Sequence, residues 1–152
     1  MKQLSSRLAD FLPYRLSVTS NMVSDNIARE YRRRFGLRVS EWRVMAILGD
    51  AGALTQRDLV AATFMDKVAV NRACKVLCDR ALIKRRPNAN DGRSHLLELT
   101  EEGTEIFDAV MPLALEMEAS LLHVLSASER ETLLRTLSKL FDRAREIGAK
   151  RD

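Results

Sequence analysis

Between Asp66 and Leu99 the chain gathers Lys67, Arg72, Lys75, Arg80, Lys84, Arg85, Arg86 and Arg93 against four acids, Asp66, Asp79, Asp91 and Glu98. Guanidinium and ammonium groups are hydrogen-bond donors of fixed positive charge, suited to a phosphate backbone and to base edges. The excess in this stretch, +4, equals the formal net charge of the whole chain. Its first half reads as a helix with one apolar face, its second as two short strands around a polar turn. A helix followed by a basic hairpin can enter one groove of a DNA duplex and straddle the next.

Other chemistries find less support. Cys74 and Cys78 sit four apart in the same helix, where side-chain vectors run side by side, so no mutual disulfide is expected. With His95 or His123 they could form a metal set, and Cys78 could be an exposed thiol. A metal- or thiol-responsive sensor is therefore kept as an alternative. Cys74, however, aligns with a buried apolar position, where cysteine is commonly inert. No metal and no cofactor are expected. The chain has only two histidines, no glycine-rich phosphate loop, no HExxH and no recognisable nucleophile setting, so it is not read as an enzyme.

The length of 152 residues suits one domain, and 46% hydrophobic with 30% charged residues excludes disorder as a reading of the whole chain. Residues 101–131 hold eight acids and a single base, Arg130, so a basic middle is followed by an acidic stretch. The N-terminus lacks a long apolar stretch, and no run approaches 18 apolar residues. Neither a secretory signal nor a membrane span is expected, and a reducing cytoplasm fits.

The elements that would position the basic stretch follow in order. Residues 8–35 read as a long helix, with Pro13 either in its first turn or bending it, and Gly36 stopping it. Ser40 is a natural N-cap for a helix from Glu41 to about Asp50, burying Trp42, Met45, Ala46 and Leu48 or Gly49. Thr55-Gln56-Arg57-Asp58 has the form of a capping box and opens a short helix to Ala62. Asp66 caps the next helix, residues 67–80, with Val70, Ala73, Cys74 and Leu77 inward. Short helix, tight turn and second helix make the helix-turn-helix plan. Strands are expected at 82–86 and 94–99 around the turn at 88–93. Thr100 caps a long helix over 102–124, in which Pro112 predicts a kink. A last helix starts from Ser126 with Glu129, or from Ser128 with Glu131. Its Leu133, Leu137, Leu140, Ala144 and Ile147, widened by Leu134 and Phe141, make a heptad-like seam.

Six segments, in order and at consistent distances, carry a resemblance to a known family. They are Ser-Glu-Trp-Arg-Val-Met-Ala-Ile-Leu (40–48), Leu-Thr-Gln-Arg-Asp-Leu-Val (54–60), Asp-Lys-Val-Ala-Val-Asn-Arg-Ala (66–73), Leu-Ile-Lys-Arg-Arg-Pro (82–87), Asn-Asp-Gly-Arg-Ser (90–94) and Leu-Glu-Leu-Thr-Glu-Glu-Gly (97–103). The chain resembles the MarR family of winged-helix transcriptional regulators. The resemblance implies a mainly α, α+β winged-helix fold. Residues 37–100 would form the DNA-binding region, and residues 1–36 and 101–152 a helical region that forms a homodimer. It implies that helix 67–80 enters the major groove and that the turn at 88–94 is the wing, with Arg93 in the minor groove and Asp91 orienting it. One residue departs from the pattern: Ala81 stands where the family usually has Gly, which tolerates positive φ.

On this reading the DNA contacts are Lys67, Ala69, Asn71, Arg72 and Lys75 of the recognition helix, and Ser40, Thr55 and Gln56 at the phosphates. Arg85, Arg86, Asp91, Arg93 and Ser94 would serve at the wing. Asn71 suits adenine, Arg72 guanine and Ala69 a thymine methyl. The dimer seam is expected from Leu12, Leu16, Leu133, Leu137, Leu140, Phe141, Ala144 and Ile147, and it could equally pack on helix 102–124 of the same chain. Trp42, Met45, Phe107 and Met111, with Arg15 or His123, are candidates for a pocket taking an aromatic carboxylate, or else simply core. The function expected is a dimeric, sequence-specific repressor on a pseudo-palindromic duplex site, released by a small aromatic or phenolic ligand. A constitutive DNA-binding protein without effector is the second alternative.

Overall fold

The computed structural model describes residues 6–150. Two helices replace the single one expected over 8–35: α1 (Ser6–Ala9) and α2 (Leu12–Phe35). Pro13 falls in the first turn of α2, where N–H groups have no carbonyl partner and its missing N–H costs nothing. Gly36 ends α2 in the left-handed conformation, φ 63°, with its N–H on the Arg32 carbonyl.

The start of α3 (Val39–Ala51) corrects the expected Ser40 cap. Arg38 is the N-cap residue, and the Glu41 carboxylate accepts its N–H at 2.9 Å. An acid at the third helical position can satisfy the N-cap N–H whatever the cap side chain is. Leu37, fully buried, anchors the chain just ahead of it. Ser40 is thus the second helical residue. Trp42, Met45 and Leu48 of α3 are buried as expected and Ala46 packs against the same core, while Val44 and Glu41 are buried in addition.

A two-residue strand, β1 (Leu54–Thr55), has no counterpart among the expected elements and leads directly into α4 (Gln56–Thr63). The turn to α5 (Lys67–Asp79) passes through Phe64, an exposed residue at φ 54°. Val70, Ala73, Cys74 and Leu77 of α5 are buried as expected, joining Leu59, Leu82, Ile83, Leu97 and the α3 residues in one core. Each such aliphatic side chain contributes roughly 1.5–3 kcal/mol by leaving water. Strands β2 (Ile83–Pro87) and β3 (His95–Leu99) pair antiparallel, Arg85 opposite Leu97, and β1 adds to the other edge of β3 with Leu54 opposite Leu97.

The end of α5 explains the Ala81 departure. Leu82 N–H reaches the Leu77 carbonyl and Ala81 N–H the Cys78 carbonyl, both at 2.9 Å, which is the Schellman arrangement. Its hinge residue takes φ 55° although it is alanine. Thr100 holds the same junction. Its hydroxyl donates to the Ala81 carbonyl at 2.7 Å and accepts the Gly103 N–H at 3.0 Å, capping α6 (Glu101–Leu122). Pro112 lies inside α6, and Ser126, not Ser128, caps α7 (Ala127–Ala149) with Glu129.

The described residues form two compact units, divided between Ala114 and Leu115. The first holds the winged helix. In the second, no residue of α7 is buried.

Ala81→Gly should stabilise the protein by about 0.5–1 kcal/mol, since relief of left-handed strain exceeds the added chain entropy. A higher urea midpoint at unchanged slope is the readout. Gly103→Ala should do the opposite. Its Cβ would stand 2.0 Å from the Leu82 carbonyl oxygen, backbone that cannot step aside, and a loss of about 1–3 kcal/mol is expected.

Candidate nucleic-acid interface

The interface is built on two capped helices. Thr55 Oγ1 accepts the Asp58 N–H at 3.1 Å, and Asp58 Oδ2 accepts both the Thr55 N–H (3.1 Å) and its hydroxyl (2.7 Å). These bonds hold the Asp58 carboxyl below the ordinary carboxylate range. They also engage the Thr55 hydroxyl proton, which the sequence offered to a phosphate. Asp66 Oδ1 accepts the Ala69 N–H at 2.8 Å and fixes the start of α5. With Val70 and Cys74 seated in the core, Lys67, Asn71, Arg72 and Lys75 are exposed together on the outer side of α5.

Two details of that helix differ from expectation. Ala69 is only half exposed, whereas Val68, which sequence reasoning passes over, is 65% exposed in the same first turn. An exposed branched apolar residue beside Lys67 is the signal that could have found it. Gln56, at the start of α4, donates from Nε2 to Asn71 Oδ1, so two expected DNA contacts are joined to each other.

The hairpin turn is ordered by its own side chains. Asp91 Oδ1 accepts the backbone N–H of Arg93 at 3.0 Å, and Asn88 Nδ2 donates to Ser94 Oγ at 3.0 Å. Asp91 therefore orients Arg93 through the backbone, and Ser94 serves inside the turn. Strand alternation then separates the hairpin's cations. Arg86 and Lys84 share a face with Glu98, at 3.0 and 3.4 Å, and this pairing lowers the Glu98 carboxyl from its usual range. Arg85 points to the other face. There it lines a groove of about 550 Å³ with Thr55, Gln56, Arg57, Asp58, Asn88, Asp91, Arg93, Ser94 and His95. Arg57 and His95 are additions to the expected set. Arg86 is held apart from Arg85 and does not join this groove.

Ser40 lies elsewhere, in a second hollow with Arg38, Arg72 and Arg80. Arg80 is turned to structural use: its Nη2 donates to the Phe35 carbonyl at 2.6 Å and its Nη1 to the Gly36 carbonyl at 3.3 Å. It ties the end of α5 to the end of α2.

The residues considered for a ligand pocket are packed on one another. Trp42 and Met45 are buried, Phe107 stacks on Trp42 at 6.0 Å between centroids, Tyr31 lies 5.7 Å from Trp42, and Met111 packs against the same core. Arg15 and His123 are exposed. The residues of the expected dimer seam are exposed in the single chain: Leu12, Leu16, Leu133, Leu137, Leu140, Phe141, Ala144 and Ile147. Among the described residues no three of His, Cys, Asp and Glu are grouped to hold a metal ion. No single described helix is long and apolar enough to cross a membrane.

Cys74 is fully buried, and burial pushes its thiol up to about 11. The thiolate is the reactive form, so at a mildly alkaline pH, well below that value, Cys74 should resist alkylation in the native protein while the half-buried Cys78 is modified first. Mass spectrometry of peptides after timed iodoacetamide treatment checks this order. Equal labelling of both at native conditions would contradict the packing described.

The MarR family model matches residues 35–94, which span α3, α4, α5 and most of the hairpin. The chain is 31% identical over 104 residues to the HTH-type transcriptional repressor NicR of Pseudomonas putida, an alignment covering 68% of this chain and 66% of that one. A MarR/EmrR family regulator from Acinetobacter sp. ADP1 superposes with a TM-score of 0.82 at 25% identity, over 89% of this chain and 95% of the other. A cysteine-to-serine mutant of Escherichia coli MarR, solved with operator DNA, superposes at 0.73 with 27% identity, over 83% and 91%. Six ordered sequence segments, a capped helix-turn-helix with its cations outward and a three-stranded wing thus agree with these likenesses, and the chain belongs to the MarR family of DNA-binding winged-helix transcriptional regulators.

Proposed function

We propose that this regulator is a homodimeric, sequence-specific repressor that reads a pseudo-palindromic operator through α5. The observation that carries the reading is the exposed row Lys67, Asn71, Arg72 and Lys75 on a helix whose opposite side is locked into the core. Such a helix can enter a major groove about 12 Å wide without unfolding anything. Arg93, at the tip of a turn braced by Asp91, suits the adjacent minor groove, and the groove holding Arg57, Arg85 and His95 suits the backbone between. NicR is named a repressor and a mutant E. coli MarR is seen on operator DNA, which favours repression through operator binding here. A role on DNA suits a cytoplasmic location.

The dimer is favoured by the exposed apolar side of α7 and by Leu12, Leu16, Val18 and Met22 on α2, all exposed in one chain. A two-fold dimer would set two copies of α5 about 34 Å apart, matching successive major grooves.

Release by a small aromatic or phenolic ligand is the finer part of the reading. The Tyr31, Trp42 and Phe107 rings join α2, α3 and α6 in one layer. An aromatic acid that inserted there would move the elements on which α5 rests and so change the spacing of the two copies.

Selection of bound fragments from random duplexes should return half-sites about ten base pairs apart. Asn71→Ala or Arg72→Ala should cost about 1–3 kcal/mol on the selected site and far less on random DNA; equal losses on both would reduce those residues to backbone contacts. Arg93→Ala should weaken binding and flatten a preference for A·T-rich flanks.

Sedimentation equilibrium should give twice the 17.2 kDa chain mass. Leu137→Asp should give the single mass and lose cooperative operator binding. A monomeric wild type that still binds a palindrome tightly would overturn the dimer. Benzoate-class acids should lower operator affinity, and indifference across such a panel would favour the constitutive alternative.

A further inference from the structure

Along α5 the exposed residues Val68, Asn71, Arg72 and Lys75 follow at spacings of three, one and three, the period of one helix face. The opposite face, Val70, Ala73, Cys74 and Leu77, is buried, so this row is turned away from the core. Asn71, Arg72 and Lys75 offer amide, guanidinium and ammonium groups. Val68 offers only methyls. It is 65% exposed and is the one exposed apolar residue of the helix. The cap at Asp66, whose carboxylate accepts the Ala69 N–H, sets Val68 in the first turn. That is the end of such a helix that meets base edges. Resting on the sequence-specific reading above, we infer that Val68 is a base-reading residue: its isopropyl group packs on the C5-methyl of a thymine in the major groove of each half-site.

The C5-methyl of thymine is the one apolar group that base pairs present in the major groove; the rest are hydrogen-bond donors and acceptors. Polar side chains gain nothing from it, whereas Val68 and the methyl leave water together when they meet. A scattered apolar residue on a surface is common, but this one stands in line with three side chains suited to bases and phosphates. Its branching also fits the task. Valine keeps one strongly preferred χ1 in a helix, so its methyls are in place before DNA arrives and little side-chain freedom is lost on binding. The same branching gives no advantage at a water-facing helix position, where alanine or lysine favours the helix more. Ala69, to which the sequence assigns a thymine methyl, is half-buried and carries a single methyl. Asn71 and Arg72 lie one turn along from Val68. The thymine covered by Val68 therefore neighbours the bases within their reach.

The test uses the full chain and the duplex it selects from a random pool. Each thymine of one half-site is replaced in turn by deoxyuridine, which removes the C5-methyl and keeps every hydrogen-bonding group. Wild type should lose about fourfold in affinity at one of these thymines, the scale of burying one methyl group. Val68→Ser should bind the thymine and uracil duplexes alike at that position, while Ala69→Ser should keep the wild-type ratio. Cytosine placed there should weaken wild-type binding, and 5-methylcytosine, which restores the methyl, should recover about fourfold, with no such recovery in Val68→Ser. Val68 is exposed, so an unchanged thermal midpoint is expected for Val68→Ser. Equal wild-type binding of thymine and uracil at every position, with the motif intact, would overturn the role of Val68 alone. So would a methyl dependence that survives in Val68→Ser. A pool that returns no motif would overturn the sequence-specific reading itself.

Discussion

One threonine hydroxyl and one missing side chain hold α5 and the hairpin to α6. Thr100 Oγ1 donates to the carbonyl of Ala81, just past α5, and accepts the N–H of Gly103, inside α6. The Thr100 N–H adds a bond to the Leu82 carbonyl at 3.0 Å. Gly103 lets α6 press against that carbonyl at a distance no Cβ would allow. Three elements, α5, the hairpin and α6, therefore meet at a backbone junction with little room to slide. Close-packed contacts of this kind transmit displacement because they cannot deform gradually. A second tie, from Arg80 to the last carbonyls of α2, connects the same end of α5 to the N-terminal helix. Its guanidinium is fixed to two backbone oxygens that the helix C-terminus would otherwise leave without partners.

Charge on the hairpin is sorted by the two-residue period of a strand. Residues 84–86 look in sequence like one basic cluster. In the fold, Lys84 and Arg86 flank Glu98 and share its charge, while Arg85 alone of the three faces the groove beside α4. Acids near the interface are likewise committed to internal work: Asp58 to the α4 cap, Asp66 to the α5 cap and Asp91 to the turn. Their negative charge stands at helix N-termini and on backbone N–H groups, where it is favourable, and the surrounding cations are left to meet an anion.

The apolar surfaces of α2 and α7 are what the proposed dimer would cover. No residue of α7 is buried, and Leu133, Leu137, Leu140, Phe141 and Ile147 are exposed in the single chain. Burial of such side chains is the main favourable term in association. The acidic stretch 101–131, which runs along α6 into the first turns of α7, carries eight acids against one base. Like charge makes that part of the surface a poor competitor for a phosphate backbone, which accords with the proposed contact through the basic middle of the chain.

The sequence by itself determined the helix-turn-helix, the inward set Val70, Ala73, Cys74 and Leu77, both capping motifs that matter for it, and the family. Those are local signals: an apolar period near 3.6, an Asp or Thr at a helix start, and turn residues at 88–93. It missed β1, because two residues have no period to read, and misplaced the α3 cap, because Glu41 could satisfy an N–H at Arg38, ahead of Ser40. It also marked Ala81 as breaking a pattern without saying how the chain would respond. Only the tertiary structure decided that the helix keeps its left-handed ending there, since the Leu82 and Thr100 bonds close around it. Tertiary structure likewise decided that Arg85 and not Arg86 joins the groove, that Gln56 grips Asn71, and that Trp42, Met45 and Phe107 pack as core. Each of these is a contact between residues far apart in the chain, set by which faces the core turns outward, and no local period encodes it.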